Sequence, residues 1–144
     1  MTVSLLSHLL HPHPQVPSKI GLSEPLLGAV LISPWLNFRS DDPRAVANEK
    51  TDYVSAAVGA RWSRAFLGNS PKDNYNQPCI AEPTWFDGLE GVVKDVLIEA
   101  GGGEMLFHGI DEMATVLQRA HKNVKYIVTV SHVPCRRADQ GDRN

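Results

Sequence analysis

A chain of 144 residues is long enough for one domain with a packed core and too short for two ordinary ones. Its 42% hydrophobic and 21% charged residues are the mix of a folded protein, and a net charge of −2 offers no basic field for nucleic acid. The two cysteines, Cys79 and Cys135, are too few for a disulfide framework or a zinc site, so reduced thiols in a cytoplasmic protein are expected.

The first predicted element is a short helix over Val3–Leu10. It is apolar on most sides and so should be buried. It lacks the positive flank and small-residue cleavage site of a signal peptide, and no stretch of the chain is long enough to span a bilayer. The "HPHP" run from His11 ends it, because proline cannot continue a helix. His8 and His11 stand three apart, but with prolines beside them and no carboxylate or thiol nearby they make a poor metal site. Neither a metal nor a cofactor is expected.

"GAVLISPW", Gly28 to Trp35, is a continuous apolar run that reads as a fully buried strand of a parallel sheet. A polar loop, "RSDDPRAVANEKTD", follows. Next comes an amphipathic helix with Val54, Val58, Trp62, Ala65 and Phe66 on its inner face, Asp52 as N-cap and Gly68 as terminator. Residues 69–91 are rich in turn formers and irregular. Val93–Gly101 is a second strand. Glu104–Lys122 is a second amphipathic helix, its inner face made of Leu106, Ile110, Met113, Leu117 and Ala120. Asn123–Val130 is a third strand. Beyond His132 the pattern gives way to a polar tail without periodicity.

This order is an α/β pattern with a parallel sheet. Three such strands leave their edges bare, so the sheet is expected to be part of a larger domain.

Four segments in this order, "LISPWLNF", "YNQP…WFDGL", "GGGEML" and "SHVP", resemble the C-terminal half of hormone-sensitive-lipase-like α/β-hydrolases, in particular the fungal and bacterial esterases of that group. The resemblance implies a partial α/β-hydrolase fold over residues 1–134, with a cap-like excursion at about 40–90 and an unstructured tail at 135–144. It implies a carboxylic-ester hydrolase lineage acting on small or medium acyl esters by a serine, histidine and acid triad. Position by position, Glu104 matches the family's acid and His132 its base. In many relatives the acid is an aspartate followed by Pro-Leu, whereas here it is a glutamate followed by Met-Leu. Trp35, Trp62, Trp85 and Phe86 read as core and cap packing rather than a stacking platform, while the resemblance allows Trp62, on the cap-like helix, to line an acyl pocket.

Read by themselves, Glu104 is a favourable first-turn helix residue and His132 a loop histidine. The chemistry of a triad suits them nevertheless. Three glycines allow a tight turn, and a carboxylate near a helix N-terminus stays ionised, as an orienting acid must.

The nucleophile is not in this sequence. A G-x-S-x-G elbow is absent: "GLSEP" around Ser23 and "GNSPK" around Ser70 each lack the second glycine. Ser4 and Ser7 lie on a helix body and read as packing or solvent-facing hydroxyls. The resemblance puts the elbow a few residues before Met1. The expectations are therefore a truncated gene model of an esterase acting on a small-molecule ester, or a decayed, non-catalytic pseudo-hydrolase that binds an apolar ligand or partner.

Overall fold

A run of branched apolar residues without room for a helical turn makes each of the three strands. They are β1 (Ala29–Ile32), β2 (Val96–Gly101) and β3 (Val124–Thr129), all parallel and in the order β1-β2-β3. The structure, a computed structural model, describes residues 2–16, 21–39 and 42–130. His132, Cys135 and the tail lie outside the described residues. The helices are α1 (Thr2–Leu10), α2 (Pro43–Ala47), α3 (Ala56–Leu67) and α4 (Phe107–Ala120), with short 3-10 turns between residues 78 and 91. No helix among the described residues is long and apolar enough to cross a membrane.

The register pairs Ala29 with Val96 and Val96 with Val124, which sets matched residues on one face. On that face Ala29, Leu31, Val96, Ile98 and Ala100 are buried. Val3 and Leu6 of α1, Ile110, Met113 and Leu117 of α4, and Phe86 and Leu89 of the irregular segment cover it. Each fully buried side chain of this size contributes about 1.5–3 kcal/mol. The other face is open among the described residues: Val30 is 58% and Ile32 69% exposed.

Several expectations need correction. The run at Gly28–Trp35 is not buried on both faces. Its strand is four residues long and alternates buried and exposed, because helices cover one side only. Helix α1 is likewise buried along one face, and its Leu5 is exposed. Helix α3 starts four residues after Asp52: Ser55 is its N-cap, accepting the Val58 amide. Its buried residues are the small Gly59 and Ser63, while Trp62, Ala65 and Phe66 face outward. Small residues let the helix approach closely, and the large ones then wall a groove beside it. Gly68, at φ 55°, does end the helix. The polar loop contains α2, capped by Asp42, whose carboxyl the Arg44 hydrogen bond holds down at about 2. Arg44 also donates to Glu112 at 2.7 Å and so ties α2 to α4.

Helix α4 presents Ile110, Met113, Ala114 and Leu117 inward, with Leu106 and Ala120 partly buried, close to the expected face. Past its end the buried His121 accepts the Asn123 amide on Nδ1, which leaves Nε2–H to donate to Val93 O at 2.8 Å. That ring joins the entries to β2 and β3.

Candidate active site

All three strands are parallel, so their C-terminal ends share one edge, the edge at which open α/β sheets place their ligands. Ser33 follows β1 directly and has φ 43°, the one non-glycine among the described residues with a positive φ. Its amide continues the ladder to Glu99 O at 2.9 Å. Its Oγ donates to Glu104 Oε1 at 2.7 Å, and the Gly101 amide donates to the same oxygen at 3.1 Å. Glu104 Oε2 is buried and has no hydrogen-bond partner among the described residues. A carboxylate thus arrives with one oxygen fixed by two donors and the other in reserve.

Glu104 is not in the first turn of α4, as its sequence position suggests. The helix begins at Phe107, and residues 102–106 form turns that carry the carboxylate back toward β2. Gly101 makes this return possible: a Cβ there would stand 2.7 Å from Oε1. The Gly102 amide donates to Thr129 O at 3.0 Å, so the chain leaving β3 passes beside this turn.

The backbone of the turn is held by side chains from the segment after α2. Asn48 donates to Glu104 O at 2.9 Å, Thr51 Oγ1 to Gly103 O at 2.7 Å, and Asp52 accepts the Met105 amide at 2.7 Å. Glu104 O also accepts the Phe107 amide at 3.1 Å, whereas Gly103 O and the Met105 amide depend on these side chains within the described residues. In the sequence "NEKTD" is the end of a polar loop, with Asp52 expected as a helix cap, and Ser33 lies inside the expected strand run Gly28–Trp35. The available signals were an Asn, a Thr and an Asp within five residues, all side chains that bond to backbone, and a serine where an apolar strand stops before Pro34.

An aromatic groove lies alongside. Trp35, Phe38, Trp62 and Phe66 make edge-on contacts, with ring centroids 5.2 Å apart for Trp35–Phe38, 5.6 Å for Phe38–Phe66 and 6.4 Å for Trp35–Trp62. Two cavities share Trp35, Leu36, Phe38 and Trp62 in their walls, and the larger has a volume of about 430 Å³ and extends to Val3 and Ser4 at the start of α1. The smaller reaches Met105 and Gly109, next to the Glu104 turn. Trp62 lines both cavities.

Of the two expected triad members, Glu104 is in a built setting at the sheet edge, and His132 lies outside the described residues. The remaining candidates have structural partners. His8 Nδ1 accepts the His13 amide, and His11 Nε2 meets Trp85 O at 2.8 Å. Ser7 is buried and donates to Asn74 O at 3.5 Å, in keeping with a packing hydroxyl.

No protein-family model and no curated protein matches the chain. Solved structures do. A mutant of the esterase E40 superposes with a TM-score of 0.66 at 21% identity, over 88% of this chain and 38% of that one. An esterase from the bacterial hormone-sensitive lipase family gives a TM-score of 0.64 at 21% identity, over 89% and 38%. EstE5 gives 0.56 at 20% identity, over 72% and 32%. The chain spans about two fifths of the length of the first two, 38% in each case. Its strands, helices and open sheet face are therefore those of a partial α/β-hydrolase fold, similar to part of a hormone-sensitive-lipase-family esterase.

Proposed function

We propose that this chain is the C-terminal part of a serine carboxylic-ester hydrolase acting on small or medium acyl esters, with Glu104 as the orienting acid and His132 as the base. The nucleophilic serine comes from outside these 144 residues. In this reading residues 1–134 belong to one domain, and residues of about 40–90 form its cap-like excursion. The observation that carries it is the Glu104 carboxylate, with Oε1 held by Ser33 and Gly101 and Oε2 buried without a partner among the described residues. His132 lies three residues beyond the end of β3, whose Thr129 already bonds the acid's turn.

The chemistry follows from these roles. His132 takes the serine proton as the hydroxyl adds to the ester carbonyl, then gives it to the leaving alcohol. Ionised Glu104 holds the ring through its Nδ1–H and stabilises the imidazolium. Water, activated by the same histidine, releases the acid. The aromatic groove receives the acyl chain, since it runs from the start of α1 to the Glu104 turn.

A second reading, a non-catalytic protein that binds an apolar ligand in this groove, is favoured by the lack of G-x-S-x-G in the sequence. One experiment separates the two. The reading frame upstream of the Met1 codon is sequenced and joined to the chain, and the product is assayed on p-nitrophenyl acetate and butyrate. Esterase activity that a serine-directed phosphonate blocks, and that Glu104→Ala and His132→Ala each remove, is expected. An upstream frame without an elbow serine, or activity that survives both substitutions, refutes the catalytic reading.

A further inference from the structure

The residue that touches the acid most closely is one that local backbone rules argue against. An L-residue other than glycine at φ 43° is strained by about 1–2 kcal/mol, and glycine would be free of that cost. Ser33 also precedes Pro34, which biases the residue before it toward extended backbone. Two local rules are broken at one position, and a position of that kind points to use of the side chain.

Among the described residues the side chain has one partner, Glu104 Oε1 at 2.7 Å. That bond crosses from the end of β1 to the turn after β2 and spans 71 residues of sequence. With the Gly101 amide on the same oxygen, rotation of the carboxylate about its last bond is blocked. Oε2 is left to accept another donor, and it is buried without a partner among the described residues.

We infer that Ser33 is a positioning residue for Glu104: its left-handed backbone aims the hydroxyl at Oε1 and so reserves Oε2 for the imidazole. This rests on the assignment of Glu104 and His132 proposed above. A purely conformational role for Ser33 makes the opposite demand, since glycine would serve the turn better.

The test uses the 144-residue chain, labelled with ¹⁵N in its histidine rings, at a pH where His132 is uncharged. Long-range ¹H–¹⁵N correlation reads which ring nitrogen of His132 holds the proton. Free imidazole favours Nε2–H, whereas a ring bonded to Glu104 Oε2 carries Nδ1–H. The parent chain is expected to show Nδ1–H. Ser33→Gly is expected to revert to the free mixture while keeping a cooperative melt. Ser33→Asn, which tolerates the left-handed region and keeps a donor, is expected to retain Nδ1–H and decides the matter if the glycine variant does not fold. If Ser33→Gly retains Nδ1–H while Glu104→Ala loses it, the inference falls and the Glu104 assignment stands. A parent chain that shows the free mixture overturns both.

Discussion

The Asp52 carboxylate accepts the Met105 amide at 2.7 Å across 53 residues of sequence, and so pins the turn that carries Glu104. The other Asp52 oxygen accepts the Val54 amide, which fixes the carboxylate against α3's lead-in. Asp52 was expected to cap α3. It fails to do so because its side chain is already committed to two other amides, and Ser55 takes the cap instead.

Hydrogen bonds to a charged acceptor contribute about 1.5–3 kcal/mol. Asp52→Ala should therefore loosen the acid's turn locally by at least about 1.5 kcal/mol, which makes the Met105 amide exchange at least roughly tenfold faster. Core amides such as that of Ile98 should be little affected. Hydrogen exchange read by NMR checks this, and equal acceleration at both sites would show that Asp52 acts on the whole fold.

Gly101 is the residue whose missing side chain the carboxylate occupies. A Cβ would stand 2.7 Å from Oε1 and 3.1 Å from Cδ of Glu104. The obstacle is the end of a flexible side chain, so Gly101→Ala should cost less than about 1 kcal/mol in stability. It should nevertheless push the carboxylate off its two donors. Carbodiimide-driven coupling of glycine ethyl ester to Glu104, followed by peptide mass spectrometry, should rise several-fold while the thermal midpoint barely moves. Unchanged labelling would mean that the turn absorbs the methyl without displacing the acid.

The parts of this fold that were legible in the sequence are those with long apolar periods. The apolar runs of β2 and β3 mark both strands, of which β2 alternates buried and half-buried residues and β3 has none fully buried, and the inner face of α4 follows from its period of 3.6. The same reasoning misplaced α3, where the inner face is Gly59 and Ser63 and the aromatics wall a groove instead. Amphipathic patterning cannot tell a core-facing aromatic from one that faces a cavity. Glu104 was reached through its resemblance to a family's acid. The expected reason, a place at a helix N-terminus, differs from the observed one, a return to Ser33 and Gly101. Those contacts join residues 71 and 3 positions away, and the longer of them leaves no periodic trace.

Cys79 gives a pH test of the packing between the 3-10 turn at Pro78–Ile80 and α4. Its Sγ donates to Gly109 O at 3.4 Å, and burial pushes the thiol up to about 12. Burial, reinforced by the Asp111 charge, also pushes Tyr126 up to about 12. In the unfolded chain the thiol titrates near 8.5 and the phenol near 10. Below pH of about 8 both groups are protonated in either state and contribute no slope. Between about 8.5 and 12 the unfolded chain loses protons that the folded chain retains, so stability falls as pH rises. Thermal midpoints measured from pH 7 to 11 should be flat and then decline, with a shallower decline in Cys79→Ala. In a Cys135→Ser background, Cys79 should resist a thiol reagent at pH 8 until the chain is unfolded. Rapid native labelling would show that the 3-10 turn opens freely.

Trp62 tests whether the aromatic groove is a binding site or only packing. It is 49% exposed, and Phe66 beside it is 61% exposed, so neither side chain holds the core together. The groove they share with Trp35 and Phe38 is apolar and large enough, at about 430 Å³, for a short acyl chain beside an aromatic ring. Trp62→Ala should therefore change stability by less than about 1 kcal/mol, the range of an exposed substitution. Its effect on binding should be larger, because a ligand lying against the indole would bury most of that exposed surface. Loss of a well-packed aromatic wall costs about 1–2 kcal/mol of binding, or roughly 5- to 30-fold in Kd. Equilibrium dialysis of p-nitrophenyl butyl ether, which cannot be hydrolysed, measures this on the 144-residue chain without a nucleophile. Saturable binding weakened in Trp62→Ala, and unaffected by Tyr53→Ala at another exposed aromatic outside the groove, is expected. Binding that ignores Trp62 would remove the groove from the proposed acyl site and leave the Glu104 geometry as its remaining support.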